Sequence, residues 1–384
     1  QNERVVFFPT LANEIPLPTN NDDGTAPDSL QPQTTPSSHY WNVSIHGWIF
    51  EPKEQSLKRA LLISLLMKLL DIPKDNQKSA MTFQKRIRPF VVDNQPRKRV
   101  LIEIGGKLYR MPLSQKNGHF HTTLKLSTHQ LAKDIGDDGT HEHGTGYVLP
   151  YKAKGEDKRI FQGHIHLVPS RGLSIISDID DTIKMTNAFQ GKQQLLAHTF
   201  LKEFQPVEGM AELYQHWQNY CLDTTNTNND NTTTTRFHYV SNSVFQLYDD
   251  LEDFRVRANF PPATFHLKTI RPKKVLDTVD ILTADPLDTK RVHIESIITR
   301  FPFRKFVLVG DSGDKDPEVY AGIARDYPNQ VKAIFIRNVN NNTHPGRFKE
   351  VSVHTQWAFF DHPEELLQYT TLLFGGLTVR EHSY

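Results

Sequence analysis

Apolar and polar residues alternate along four short stretches in the first half of the chain: WNVSIHGWIF (41–50), RVLIEIGGKLYRM (99–111), GHFHTTLKL (118–126) and FQGHIHLVP (161–169). A two-residue period is the signature of strands with one face buried. One apolar run of helical length, 56–70, interrupts them. The pattern predicts a β-sandwich-like domain over 40–170 with an inserted helix. Ahead of it, residues 18–39 are rich in Pro, Thr, Asn, Asp and Ser. Residues 1–39 are accordingly expected to be a flexible amino-terminal segment.

After Pro169-Ser170-Arg171-Gly172 the rhythm changes. Continuous apolar runs, GLSIIS, FHYVS, ATFHL, KFVLVG and VKAIFIR, now alternate with helical stretches near 191–204, 209–220, 244–257, 288–300 and 316–326. Apolar strands separated by helices imply a parallel sheet covered on both faces, hence an α/β domain over 171–384. The tract LDTTNTNNDNTTTTR, 222–236, reads as a low-complexity surface loop.

Composition narrows the classes. The 384 residues carry a formal net charge of +1, which gives no electrostatic ground for a nucleic-acid partner. The single cysteine, Cys221, forbids an intrachain disulfide and points to a reducing compartment. No apolar run reaches the roughly 18 residues of a membrane span, so none is expected. The first residue is Gln rather than Met, and Asn42, Asn231 and Asn341 open glycosylation sequons. A cytoplasmic protein peripheral to membranes is expected, with secretion after removal of a signal peptide as the alternative. The helical run 56–70 is apolar nearly all round. It suits either a packed core helix or one that dips into a bilayer surface.

The chemistry concentrates in SIISDIDDT, 174–182, where three carboxylates in four positions follow an apolar strand. Buried acids at that spacing repel one another unless a cation or proton compensates. An exposed Asp-rich turn explains the triplet alone equally well. A second cluster favours the cation: KFVLVGDSGDKDPE, 305–318, again delivers a strand, a glycine and then Asp311, Asp314 and Asp316. In parallel sheets both strand ends reach the same edge, where ligands bind. Two carboxylates there make a hard-oxygen site suited to magnesium and a substrate phosphate. Between the clusters Ser241 ends a strand and Lys290 opens a helix, where each can meet a phosphate oxygen. Lys268 in FHLK is the rival lysine.

Asp178-Ile179-Asp180-Asp181-Thr182, Val240-Ser241, Lys290 and Gly310-Asp311 with Asp316 resemble, in order, the four motifs of the haloacid dehalogenase superfamily, whose phosphatases carry DxDxT. More narrowly, SDIDDTIK, FHYVSNS, FHLK and KFVLVGDSGDKDPEVYAGIA resemble the catalytic domain of the fungal actin patch protein family of phosphatidate phosphatases. FFPTLA, GWIFEP and GHFHTTL resemble that family's non-catalytic domain. One departure is Val244-Phe245, where the family pattern leads one to expect a Pro-aromatic pair. The resemblance implies a Rossmann-like haloacid dehalogenase-type catalytic domain. It further implies magnesium-dependent hydrolysis of phosphatidate to diacylglycerol through an aspartyl-phosphate on Asp178, with Asp180 as acid and base. Thr182, Ser241, Asn242 and Lys290 would bind substrate. The metal would be held by Asp178, Asp311 and the main-chain carbonyl of Asp180, and Asp316 would hold it through water or orient Lys290. Phosphatidate at a membrane surface and cortical actin or endocytic proteins are the implied partners. The alternatives are a phosphomonoesterase acting on a soluble metabolite or phosphoprotein, and an interaction module at endocytic actin sites.

Rival signals are weaker. GDSG at 310–313 matches a serine-protease loop, but Asp-Lys-Asp follows it and the surroundings read βα rather than all-β. No strand is followed by GxGxxG, so dinucleotide binding is not indicated. The pairs His119/His121, His141/His143 and His164/His166 share strand faces and invite a zinc reading. They show no further ligand at a regular spacing and are expected to be half-exposed strand histidines. Trp41, Trp48 and Phe50 are expected to fill the sandwich core.

Overall fold

The computed structural model describes residues 3–15, 40–52, 57–70, 77–132, 148–154, 159–223, 235–270, 282–283, 287–349, 351 and 354–374. Residues 18–39, the pair His141/His143 and most of the tract 222–236 lie outside these.

The first half forms one nine-stranded sheet. Its strands are β1 (Arg4–Phe7), β2 (Thr10–Ile15), β3 (Tyr40–Pro52), β4 (Val92–Asn94), β5 (Leu101–Ile104), β6 (Lys107–Arg110), β7 (His119–Ser127), β8 (Val148–Lys154) and β9 (Ile160–Val168). They run β1-β3-β2-β9-β8-β5-β6, with β4 and β7 on the other edge of β3. All nine are hydrogen-bonded into a single sheet, not the two separate sheets that define a sandwich. Phe7, Ala12, Val43, Ile45, Ile104, Phe120, Tyr151 and Ile165, drawn from both ends of the strand order, share one core, so the sheet curls around it.

Two expectations are corrected here. Residues 4–15 are not a flexible segment: β1 and β2 pair with opposite ends of β3, and β2 also pairs in parallel with β9. Their short apolar runs, VVFF and TLA, are buried in the sheet rather than solvated. Of the three aromatics assigned to the sheet core, Trp41 lies there, whereas Trp48 and Phe50 join the core of the second half. The reason is strand alternation: odd positions of β3 face the curled core and even positions face away.

The second half is a six-stranded parallel sheet: β10 (Arg171–Ser177), β11 (Thr235–Val244), β12 (Ala263–Lys268), β13 (Phe303–Asp311), β14 (Val331–Arg337) and β15 (Gln356–Phe360). The order is β12-β11-β10-β13-β14-β15, every pair parallel. Alternate residues bury both faces. Ile175, Tyr239, Val309 and Phe335 pack under the helices Met210–Asp223 and Tyr248–Arg257. Ile176, Val240, Leu308 and Ile336 pack under Leu287–Arg300 and Asp316–Asp326. Thr235 and Arg236, read as loop, begin β11 with buried side chains. The chain leaves β10 toward β11 and β12, then returns to the opposite side at β13. The crevice for a ligand therefore falls at the carboxyl ends of β10 and β13.

The halves interlock. The helices Leu57–Leu70 and Gln77–Ile87 bury Leu62, Leu66, Phe83 and Ile87 against Leu196 and Phe200 of the helix Lys192–Phe200. Buried Arg86 donates to the carbonyls of Thr199 and Lys202, both at 2.7 Å, where the positive charge meets the negative end of that helix. Helix Leu57–Leu70 is thus packed along one stripe, while Leu61, Met67 and Leu69 remain exposed.

A polar chain crosses the parallel sheet near its amino end. His238 is fully buried, with Nδ1 2.8 Å from Thr264 Oγ1 and Nε2 3.3 Å from Ser174 Oγ, and Arg304 Nε donates to Ser174 Oγ at 3.0 Å. Burial, aided by His266 and Arg304, holds the imidazole well below its ordinary pKa, so it is neutral in the folded chain. A depressed folded pKa contributes stability that is complete above the unfolded value and is lost as pH falls below it. Unfolding free energy measured by urea titration is expected to drop by about 1.4 kcal/mol per pH unit below pH ~6.5 on account of this group. His238→Asn is expected to remove that share of the slope, and an unchanged slope in the variant would contradict the assignment.

Candidate active site

The backbone after β10 explains the acid triplet. Asp178 N donates to Val309 O at 2.8 Å, which continues the β10–β13 pairing one residue past the strand and sets the Asp178 side chain at the sheet edge. Ile183 and Lys184 then donate back to Ile179 O, closing a tight loop. Asp181 takes the left-handed conformation at its turn (φ 57°), which Asp tolerates better than most residues. Its carboxylate accepts the backbone N–H groups of Thr186, Asn187 and Ala188 at 2.6–2.7 Å. One of the three acids is therefore structural.

Asp178, Asp311 and Asp316 converge. A carboxylate oxygen of each lies within 4.8 Å of the others, and all three residues are buried. Lys290, also buried, reaches Asp178 Oδ1 at 3.0 Å and Asp314 Oδ2 at 3.2 Å, and it contacts Asp316 more closely still. Thr182 Oγ1 donates to Asp178 Oδ2 at 3.2 Å. Lys268 does not reach this cluster; it lines a different cavity at the end of β12. Asp311 Oδ1 accepts from Gly313 N at 2.7 Å and Asp314 N at 3.1 Å, and Asp316 Oδ2 accepts from Asp311 N at 3.2 Å.

Asp180 stands apart from that trio. Its Oδ1 accepts from Lys184 Nζ at 2.6 Å and Thr186 Oγ1 at 2.7 Å, and its Oδ2 from Ser241 at 3.1 Å and Ser243 at 3.2 Å. Its carboxylate is therefore not among the clustered oxygens. Asn242 lines the cleft beside Asp180 and Asp311. Sequence reasoning missed Lys184, whose ammonium is buried between Asp180 and Thr186. The available signal was a lysine two residues after the motif threonine, on a loop where a buried acid needs a partner.

The electrostatics separate the two acids. Burial raises the pKa of Asp178, and Asp316 and Asp311 add to it against the opposing pull of Lys290, so it sits well above the ordinary carboxylate range. Asp311 is raised for the same reasons, and Asp316 is pushed up to about 6, chiefly by burial. Three desolvated acids share one lysine, and the excess negative charge fits a divalent cation. The donor set of hard oxygens suits a magnesium-sized ion rather than a soft metal. For Asp180, burial acts upward but is outweighed by the Lys184 charge and by hydrogen bonds from Lys184, Thr186 and Ser241, which hold it below the usual value. It is an ionised base as it stands. To give up a proton it has to be relieved of Lys184 or approached by further negative charge.

The cleft over these acids has a volume of about 280 Å³. Phe189, Leu195, Leu196, Leu247 and Leu282 form an apolar wall facing Asp180, Asp311 and Asp314. The short connection after β10 thus supplies part of the wall through the helix Lys192–Phe200.

A six-stranded parallel sheet whose switch point gathers carboxylates from two strands around one lysine defines an α/β domain with a candidate active site at its carboxyl edge. Residues 173–338 match the family described as the phosphatidate phosphatase APP1 catalytic domain. The chain is 32% identical to phosphatidate phosphatase APP1 of Saccharomyces cerevisiae over 173 residues, 44% of this chain and 27% of that protein. It is 30% identical to the uncharacterized protein C29B5.04c of Schizosaccharomyces pombe over 192 residues, 49% of this chain and 29% of that protein. The matched stretch thus spans little more than a quarter of either relative's length. A PilB minor pilin from Streptococcus sanguinis overlays with a TM-score of 0.26 and 9% identity, covering 82% of this chain and 97% of the pilin, too slight a likeness to bear on fold or function.

Gly310 tests the geometry of the cluster. A Cβ there would lie 2.2 Å from Asp316 Oδ2, so only glycine lets that carboxylate approach the β13 backbone. Gly310→Ala is expected to cost about 1–3 kcal/mol of stability by urea titration. Gly322→Ala, where the added methyl meets only the tip of Arg291 within a helix, is expected to be neutral or stabilising by up to about 1 kcal/mol. Equal behaviour of the two variants would contradict the packing described.

Proposed function

We propose that the chain is a magnesium-dependent phosphatidate phosphatase of the haloacid dehalogenase type. The observation that carries the reading is the buried Asp178–Asp311–Asp316 cluster bound to Lys290 at the switch point of the parallel sheet. Magnesium would be held by Asp178, Asp311 and the Asp180 carbonyl, with Asp316 fixing Lys290 or reaching the ion through water. When bound, it would neutralise phosphoryl charge.

The chain's own residues divide the remaining work. Asp178 attacks phosphorus, the ester P–O bond breaks, and the diacylglycerol oxygen takes a proton from Asp180. Water then attacks the aspartyl-phosphate, giving its proton to Asp180 and freeing inorganic phosphate. Thr182 holds one oxygen of Asp178 and so orients the other. Ser241 and Lys290 hold phosphate oxygens, with Asn242 at the cleft wall. The Lys184 contact suits Asp180 for the second step. An arriving phosphate dianion raises the Asp180 pKa and draws Ser241 from it, which prepares the first.

Support for a lipid rather than a soluble ester comes from the surroundings. One wall of the cleft is apolar, and Met185 and Phe189 are exposed near it. Leu61, Met67, Leu69 and Met81 are exposed on the helices packed against Lys192–Phe200. Among the described residues, no helix is long and apolar enough to cross a membrane, so substrate would be met at the bilayer surface. The yeast relative bears the name of the same activity.

Phosphate release from phosphatidate in mixed micelles is expected with magnesium and is expected to stop on chelation. Asp178→Asn should reduce it by a factor on the order of 10⁴ or more. Turnover of soluble phosphate esters without turnover of phosphatidate would instead favour a soluble substrate, and full activity of Asp178→Asn would sink the mechanism.

A further inference from the structure

In the sequence, His119 and His121 share a strand face but lack a further ligand; the fold brings one to them. In the antiparallel pairing of β3 and β7, His46 lies directly opposite His121, and Trp48 opposite His119. A two-residue period puts all four side chains on one face, and three corners of the patch are imidazoles. Ring nitrogens of the three histidines lie within 4.8 Å of one another. His46 Nε2 is 2.9 Å from His119 Nδ1, and the His46 and His121 rings stack at 3.8 Å.

This patch is on the even-numbered face of β3, against the second half of the molecule. Phe8 and Phe245 lie 4.5 and 4.6 Å from the His46 ring, and Trp48 stacks on His119 at 5.6 Å. An apolar shell of this kind limits water access to a metal centre. His46 and His121 line one side of a cavity of about 480 Å³ between the halves, faced by His266, Lys268 and His293.

The fold gathers a ring nitrogen of each of three imidazoles within 4.8 Å of the others, and a borderline divalent ion is the class of ligand that such a nitrogen set takes. We propose that His46, His119 and His121 form a three-imidazole site for such an ion, zinc foremost, with its fourth position open to the cavity. Three histidines with one open position is a known zinc arrangement, and metal–nitrogen bonds of about 2.0–2.1 Å require nitrogen separations of roughly 3.3 Å. The site is distinct in chemistry from the carboxylate cluster, whose hard oxygens select a different class of ion, and it does not depend on the phosphatase reading.

The test is titration of the full chain, stripped with chelator, with cobalt(II) and then zinc in excess magnesium. One equivalent of cobalt is expected to give the intense visible bands of a four-coordinate, nitrogen-ligated ion, and zinc is expected to displace it. His121→Ala, which removes an exposed ring, should lower the affinity by at least the roughly 100-fold that loss of a supporting partner can reach. His46→Ala should do the same, with circular dichroism verifying that each variant is folded. Asp311→Asn should keep the bands, because the acid cluster is a separate site. Absence of the bands in the wild type, their persistence in folded His121→Ala, or their loss in Asp311→Asn would each overturn the proposal.

Discussion

The arrangement of the second half depends on one electrostatic constraint: three carboxylates are held out of water within reach of a single lysine. Burying Asp178, Asp311 and Asp316 is unfavourable in isolation. The Lys290 ammonium offsets part of the cost, and the backbone N–H groups of Asp311, Gly313 and Asp314 offset more. What remains is an excess of negative charge that, with burial, raises the affinity of all three acids for protons. In the proposed mechanism, the same excess would draw a small divalent ion and, through that ion, a phosphate. The parallel sheet serves this constraint by ending β10 and β13 side by side, so that acids more than a hundred residues apart meet.

Asp180 shows the complementary strategy. It lies two residues from Asp178 and is half-buried, and its pKa moves the other way because Lys184 pairs with it directly. Two neighbouring carboxylates are thus set to different proton affinities by their partners, the usual basis for assigning one fold both nucleophilic and acid–base duties. The third acid, Asp181, is spent on the loop that places the other two.

Much of this was legible in the sequence, and the reasons for the gaps are physical. The apolar runs ending at Ser177, Ser241 and Gly310 identified the parallel sheet, because strands buried on both faces leave little ambiguity. Asp178, Asp311, Asp316 and Lys290 were legible because each follows or opens an element at the same edge. Lys184 was not, since a lysine on a loop ordinarily points to solvent and only the buried carboxylate beside it explains its position. The strands at 4–15 were obscured by their shortness and by Pro9, and their partners in β3 and β9 lie far along the chain. The opposite facing of Trp41 and Trp48 follows from alternation, but alternation does not say that both faces of β3 would be covered. Likewise His46 joins His119 and His121 only through the register of β3 against β7, which no local pattern reveals. The helix Gln77–Ile87 owes its place to Arg86, a charged residue buried because it satisfies the open carbonyls of another helix.

The most direct test of the central claim is to trap the enzyme at its intermediate. Protein quenched in acid during turnover of radiolabelled phosphatidate, then digested and sequenced by mass spectrometry, is predicted to carry an acid-stable, base-labile phosphoryl group on Asp178. The label should be absent from a parallel sample depleted of divalent ions. Label on another residue, or rapid turnover in which Asp178 never becomes modified, would contradict the account.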